Sequence, residues 1–268
     1  MTDRSASGTR SLVPVPADWI VPDWPAPDWV RAFVTTRHGG VSDGSRGAGA
    51  RAGMNLGLSP GDNDDRVAGN RAQLNDYLPA PPRWLALQHG REVVRAESVG
   101  AKPVPADAST AVAQRVVCCV TVADCLPVLL TDASGSVVAA AHAGWRGLAA
   151  GILQATVAAM RRCAADPNGQ IHAFLGPAIG PDAFEVGAEV LAAMRGTLPE
   201  AQGAFRPIAN GKFLADLPGL ARQALAQVGV TSVYGGHWCT VRDPDRFYSF
   251  RRDRVTGRHA ALIWLEPR

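Results

Sequence analysis

Two apolar, strand-like runs, Leu126 to Thr131 and Ser136 to Ala141, separated by Asp132-Ala133-Ser134-Gly135, constrain this chain more than any other feature. Asp, Ser and Gly between apolar runs read as a tight turn, so the stretch predicts a β-hairpin. With the turn centred on Ala133 and Ser134, pairing runs outward until Cys125 stands opposite His142, and directly opposed residues have Cβ atoms ~5 Å apart. A thiol and an imidazole at that separation can share one metal ion, or act as nucleophile and base. A one-residue slip in register would undo the pairing. Gly144 and Gly147 leave room above the sheet behind His142, and His89, in a turn before Gly90, is the best third donor.

At 268 residues with 47% hydrophobic and 19% charged side chains, the chain can bury a large core, and one domain over residues 1–268 is expected. The longest apolar stretches are interrupted by Thr121, Asp124, Pro127 or His142, well short of the ~20 residues that span a bilayer. Met1 to Arg10 is polar and carries no secretory pattern, so a cytoplasmic location and no membrane partner are expected. The net charge of +3 comes almost wholly from arginines spread along the chain, which does not predict nucleic-acid binding. Five cysteines, odd in number and without a CxxC pair, argue against a disulfide framework or a structural zinc knuckle.

Residues 1–30, rich in proline among Trp19, Trp24 and Trp29, predict an extended arm laid on the surface. A strand is predicted over Arg31 to Thr36, a mobile loop over Ser45 to Gly53, and a helix capped by Asp62 and running to about Tyr77. Short strands are predicted over Trp84 to Leu87 and Glu92 to Ala96, and one amphipathic helix over Gly147 to Cys163. Helices are predicted over Val186 to Met194 and Leu214 to Val228, and strands over Ile171 to Leu175, Ser232 to Tyr234, Phe247 to Phe250 and His259 to Leu265. Interspersed elements without a regular βαβ repeat indicate a mixed α/β or α+β protein with substantial antiparallel sheet.

The common nucleotide-binding, protease and hydrolase signatures (GxGxxG, Walker, HExxH, GxSxG) are absent. Taken singly, Cys125 reads as a small buried hydrophobe and His142 as a satisfied core histidine; their opposition in one hairpin is what favours chemistry. Asp124 can orient a ligand or move a proton, or serve as a turn or cap. Arg37, Arg251 and Arg252 lie in or beside turns, where a fixed guanidinium suits phosphate or carboxylate. The remaining cysteines read as packing.

Arg37-His38-Gly39-Gly40-Val41-Ser42, Asn55-Leu56-Gly57, Asn70-Arg71, Gln88-His89-Gly90, Ala123-Asp124-Cys125-Leu126-Pro127, Ala141-His142-Ala143-Gly144-Trp145-Arg146-Gly147, Leu175-Gly176-Pro177-Ala178-Ile179-Gly180 and Thr256-Gly257-Arg258 together resemble the YfiH family. That family is also called the laccase-domain or polyphenol oxidase family, and it includes the bacterial peptidoglycan editing factor. The resemblance runs from about Ile20 to Leu265. It implies a four-layer αββα sandwich with mixed sheets, similar to the catalytic domain of cytotoxic necrotising factors. It further implies a zinc site at His89, Cys125 and His142, with copper as the other metal to consider. The implied activity is phosphorolysis of purine nucleosides (adenosine, inosine, methylthioadenosine) with adenosine deamination besides. Cys125, His142 and Asp124 would be catalytic, and Arg37, Asn55 and Arg251 would bind nucleoside and phosphate. Two alternatives stand beside it: a metal-free cysteine hydrolase or amidase using Cys125 and His142 in peptidoglycan precursor editing, and a copper polyphenol oxidase. The laccase label itself meets an obstacle, because a multicopper set calls for about ten histidines and this chain has six. An accessory protein of cell-wall metabolism is the non-enzymatic reading. Val122 stands where the family commonly has threonine before Ala-Asp-Cys, and Gln88 is adjacent to His89 where one residue usually intervenes.

Overall fold

Nine strands build the centre of the molecule: β1 (Val30–Val34), β2 (Val93–Arg95), β3 (Ala108–Ala111), β4 (Cys118–Val122), β5 (Leu126–Asp132), β6 (Val138–Ala143), β7 (Ile171–Leu175), β8 (Ser232–Gly235) and β9 (His259–Leu265). This computed structural model describes residues 13–47, 53–58 and 62–268. The strands form a three-stranded sheet in the order β1-β9-β4 and a six-stranded sheet in the order β8-β7-β5-β6-β3-β2. The larger sheet is mixed: β7 with β8 and β3 with β2 are parallel, and the other neighbours are antiparallel. Alternation within β9 shows how the layers stack. Ala261, Ile263 and Leu265 face the six-stranded sheet with Leu129, Val138 and Ala140, while Ala260, Leu262 and Trp264 face Trp19, Leu56, Leu74 and Leu78. Both faces of β9 are therefore buried, as in sheets covered on two sides.

Helices close the outer layers. α1 (Asp64–Leu74) covers the small sheet. α2 (Trp145–Ala150), α3 (Ile152–Cys163), α4 (Ala188–Arg195) and α5 (Leu217–Gln227) pack on the outer face of the large one. The result is the αββα layering that the resemblance implies. The stretch Gly147 to Cys163 is two helices rather than one, because Gly151 at φ +87° breaks the spiral in a conformation open to glycine. α1 is capped by Asn63, whose side chain accepts from the amides of Asp65 and Arg66, and not by Asp62. The Asp62 carboxylate instead accepts from Ser42 and Asn55. Phe247 to Phe250 is no strand: Phe247 and Tyr248 are buried, and Ser249 caps a short helical turn, α6 (Phe250–Asp253).

The central hairpin forms, but in a different register. His142 opposes Pro127 and Ala143 opposes Leu126, two residues from the expected pairing. The reason is the buried Asp132, whose carboxylate accepts from the hydroxyls of Ser134 and Ser136 and the amides of Ser136 and Val137. That draws residues 133–136 into a four-residue loop with Gly135 at φ +59°. A shift of two preserves the face, so Cys125 and His142 still project to the same side.

The proline-rich arm is non-helical between residues 13 and 29, yet it is stitched in rather than merely laid on the surface. Ile20 exchanges backbone hydrogen bonds with Val34, and the Trp19 ring lies 5.0 Å from those of Phe33 and Tyr77. Residues 1–12 of the arm, and 48–52 of the loop expected at Ser45 to Gly53, lie outside the described residues. Among the described residues no helix is long and apolar enough to cross a membrane.

Candidate metal centre and its cavity

Three side chains meet where β5 begins and β6 ends. Cys125 stands immediately before β5, His142 is in the last turn of the pleat of β6, and His89 comes from the loop between Leu85–Ala86 and β2. Cys125 Sγ lies 3.9 Å from His89 Nε2, and the two imidazole rings are 4.7 Å apart at 83°. One ligand atom from each of the three lies within 4.8 Å of the others. Two of the three depend on unusual backbone: His89 has φ +58°, and Asp124, just before Cys125, has φ +90°. Such conformations persist for non-glycine residues only where their surroundings hold them. Gly144 leaves the space for the cluster, since a Cβ there would sit 2.9 Å from Cys125 Sγ and 3.3 Å from His89 Cδ2.

Asp107 is what holds the histidines, and sequence reasoning missed it. Its fully buried carboxylate takes the His142 ring through Nδ1 at 2.8 Å and the amides of Gln88, His89 and Gly90 at 3.2, 2.9 and 2.8 Å. With Nδ1 donating, His142 presents the lone pair of Nε2 to the cluster, the arrangement typical of metal-binding histidines. The Asp107 carbonyl also accepts the His142 amide, an extension of the β3–β6 ladder. Burial alone would raise the Asp107 carboxyl, but His142 and the loop amides more than offset it and hold it below the usual range. Burial likewise pushes the Cys125 thiol up and the His142 imidazole down. Their mutual attraction, with His89 and Asp107 assisting, reverses both shifts, so the thiol is acidified and the imidazole made more basic.

The cluster forms part of the wall of a cavity of about 560 Å³. Leu58, Leu85, Leu87, Val122 and Phe250 give it apolar sides, and Arg71 and Arg258 give it charge. Both guanidinium groups are fixed. Arg71 donates from Nε and Nη2 to the Leu56 carbonyl and lies 3.9 Å over the Trp84 ring, and Arg258 Nη1 donates to the Gly257 carbonyl. Gly57 lets Arg258 through, because a Cβ there would collide with its Cβ and Cγ. Another hollow, of about 490 Å³, lies under the N-terminal arm and includes none of the cluster.

The other residues singled out in the sequence serve as braces. Arg37, 9% exposed, spends its guanidinium on the carbonyls of Gly47 and Pro244, which leaves it unsuited to hold an anion in this cavity. Arg251 donates from Nη1 to the Glu185 carbonyl and does not line the cavity. The Asp124 carboxylate accepts from Thr240 Oγ1 and the Arg251 amide, so it clamps two loops instead of facing the cavity as a proton carrier. Asn55 is buried, and its side-chain Oδ1 accepts the amides of Gly57 and Arg258, so it sets the backbone of two lining residues without touching the cavity itself. The Gln88 side chain turns away and donates to Ala86.

Residues 31–266 match the family described as multi-copper polyphenol oxidoreductase laccase. A purine nucleoside phosphorylase of Pseudomonas aeruginosa is 49% identical over 92% of this chain and 98% of its own. The purine nucleoside phosphorylase YfiH of Escherichia coli is 47% identical with the same coverage. Among solved structures, a Neisseria meningitidis protein superposes with a TM-score of 0.86 at 47% identity, covering 93% of this chain and 100% of that one. YlmD of Geobacillus stearothermophilus gives 0.82 at 32% identity over 93% and 96%.

Proposed function

The chain belongs to the multi-copper polyphenol oxidoreductase laccase family, and from that membership and the cavity we propose that it is a metal-dependent purine nucleoside phosphorylase with adenosine deaminase activity besides. The observation that carries the reading is one cavity holding a His-Cys-His cluster together with two fixed guanidinium groups. Names of relatives at 47 to 49% identity support the substrate class.

The donor set fits zinc. One thiolate and two imidazoles are zinc's preferred ligands, and three protein ligands leaving one position for substrate is the pattern of catalytic sites. His89, Cys125 and His142 would hold the ion, and Asp107 would fix the His142 tautomer. Copper also accepts such a trio, but a multicopper oxidase needs more histidines than the two in this cavity. When bound, the ion would supply Lewis acidity at that end of the cavity.

The chain's own residues do the rest. Phosphorolysis joins a phosphate oxygen to the ribose C1′ while the bond from C1′ to the base breaks and its electron pair leaves with the base. Arg258 and Arg71 hold the anion in place by charge-assisted hydrogen bonds, which water in the same position would weaken. The apolar walls exclude the water that would otherwise hydrolyse C1′. Burial pulls both guanidinium groups below their ordinary range, yet arginine stays charged at any working pH.

A second reading rests on one observation: Cys125, His142 and Asp107 stand in the order of thiol, base and orienting carboxylate. Without metal this is the arrangement of a cysteine hydrolase. One experiment separates the two. Zinc-loaded and chelator-treated protein are incubated with adenosine or inosine, with and without phosphate, beside Cys125→Ala. Free base and ribose 1-phosphate, or inosine from adenosine, formed only by the zinc-loaded wild type support the proposal. No turnover, with iodoacetamide labelling of Cys125 indifferent to chelator, favours the hydrolase.

A further inference from the structure

Phe250 is the one aromatic among the large apolar side chains left exposed in the described residues, and it sits in the cavity wall. The residue is 48% exposed, with the Arg254 guanidinium 5.9 Å from the ring centroid. The ring shares the cavity wall with the His-Cys-His cluster and with Arg71 and Arg258, and an aromatic beside a few convergent polar groups in a concave site is the usual lining of a small-molecule pocket.

The backbone that carries this ring is held from several sides. Ser249 caps α6 by accepting the Arg252 amide, and Arg252 donates to the carbonyls of Thr240 and Phe247. The Arg251 amide donates to Asp124 Oδ2 at 2.6 Å. Asp124 is the residue before Cys125 and is itself held at φ +90°. The ring is thus registered to the cysteine of the cluster through one carboxylate and two peptide units. That is firm placement of the backbone beneath a side chain about half of which remains open to the cavity, as expected of a contact surface and not of a core residue.

We infer that Phe250 is the stacking wall for the planar base of the nucleoside, with the sugar and phosphate directed to Arg258 and Arg71. The inference rests on the proposed nucleoside reading. Its chemistry is that of a π-face against a flat heteroaromatic ring, which every purine offers whatever its exocyclic group. The wall therefore gives affinity for the purine class without discriminating adenosine from inosine.

The test is calorimetric titration of zinc-loaded protein with hypoxanthine, inosine and ribose 1-phosphate, for wild type, Phe250→Ala and Phe250→Trp. The exposure of the ring means that neither variant threatens folding. Phe250→Ala should weaken hypoxanthine and inosine about tenfold and leave ribose 1-phosphate unchanged, and Phe250→Trp should restore the loss. Equal weakening of all three ligands, or no change in any, overturns the inference. If wild type binds inosine but does not split it when phosphate is then added, the phosphorylase reading fails while the ratio between base and sugar phosphate still decides the role of Phe250. If wild type binds none of the three, both fall.

Discussion

Asp107 joins two histidines that are 53 positions apart, accepting from His142 and from three consecutive amides around His89. Asp107→Asn keeps the size but turns an NH₂ toward the amides of Gln88 and Gly90, or toward the His142 ring, whichever way the amide is flipped. Zinc affinity should fall about 10- to 100-fold, measured by competition with a chromophoric chelator. Circular dichroism should stay native, and cobalt-substituted protein should show an altered thiolate charge-transfer band. An unchanged affinity would mean that the cluster is held by its strands alone. Cys125 and His142 were legible as a pair because one hairpin carries both, and His89 was legible as a donor beside a glycine turn. Asp107 was not, since it reaches His142 through the β3–β6 ladder and no spacing in the chain announces that pairing. Where an arginine points is illegible for a related reason. A guanidinium next to a turn can point at a ligand or at main-chain carbonyls that the fold brings to it, and Arg37 bonds those of Gly47 and Pro244 while Arg251 bonds that of Glu185. Arg71 and Arg258 also bond main-chain carbonyls, of Leu56 and Gly257, and what sets them apart is that both line the cavity, a placement made by the fold and not by any local pattern.

At the scale of elements, the hairpin shows which errors are harmless. Periodicity placed both strands and the turn; what it could not weigh was the Asp132 side chain competing with a two-residue turn. The resulting loop is longer, but the shift is even, and the chemistry survives because side chains alternate with period two. Asp132→Ala removes four acceptor interactions at once and leaves the amides of Ser136 and Val137 without that partner. A loss of about 3 kcal/mol in urea unfolding follows from unsatisfied buried donors. Zinc stoichiometry should remain that of wild type, because the turn lies at the far end of β5 and β6 from Cys125 and His142. Loss of the metal with the turn would show that the register itself depends on Asp132. The cap at Asn63 rather than Asp62 was hidden for a similar reason: adjacent residues had equal local claims, and the contacts of Asp62 with Ser42 and Asn55 chose between them.

Across the whole molecule, the two sheets and their order were not legible from pattern alone, because strands buried on both faces lose the alternation that marks a half-buried strand. β9 is the clearest case, buried along its length and central in its sheet. Its first residue, His259, carries a cost that appears only when the layers close. The imidazole is fully buried with its ring 5.6 Å from that of Phe247, and burial, with the nearby charge of Arg258, pushes its pKa down to about 3. The folded protein keeps it neutral, whereas the unfolded chain takes up a proton near the ordinary pKa of ~6.5. The unfolded state therefore binds more protons between those values, so stability is intact above ~6.5 and declines as pH falls, by up to roughly 1.4 kcal/mol per pH unit. Glu97 adds a second acid-sensitive window lower down. Burial alone would raise its carboxyl, but Arg95 and the amides of Ala113 and Val112 bring it to about 2, so its contribution is lost as pH falls from the ordinary carboxylate range toward that value. His259→Leu removes the upper window and keeps the lower one. Unfolding midpoints in urea at pH 7, 6 and 5 should fall steeply for wild type and much less for the variant. Parallel declines would place the acid sensitivity elsewhere and would mean that His259 finds a protonated form the two sheets can accommodate.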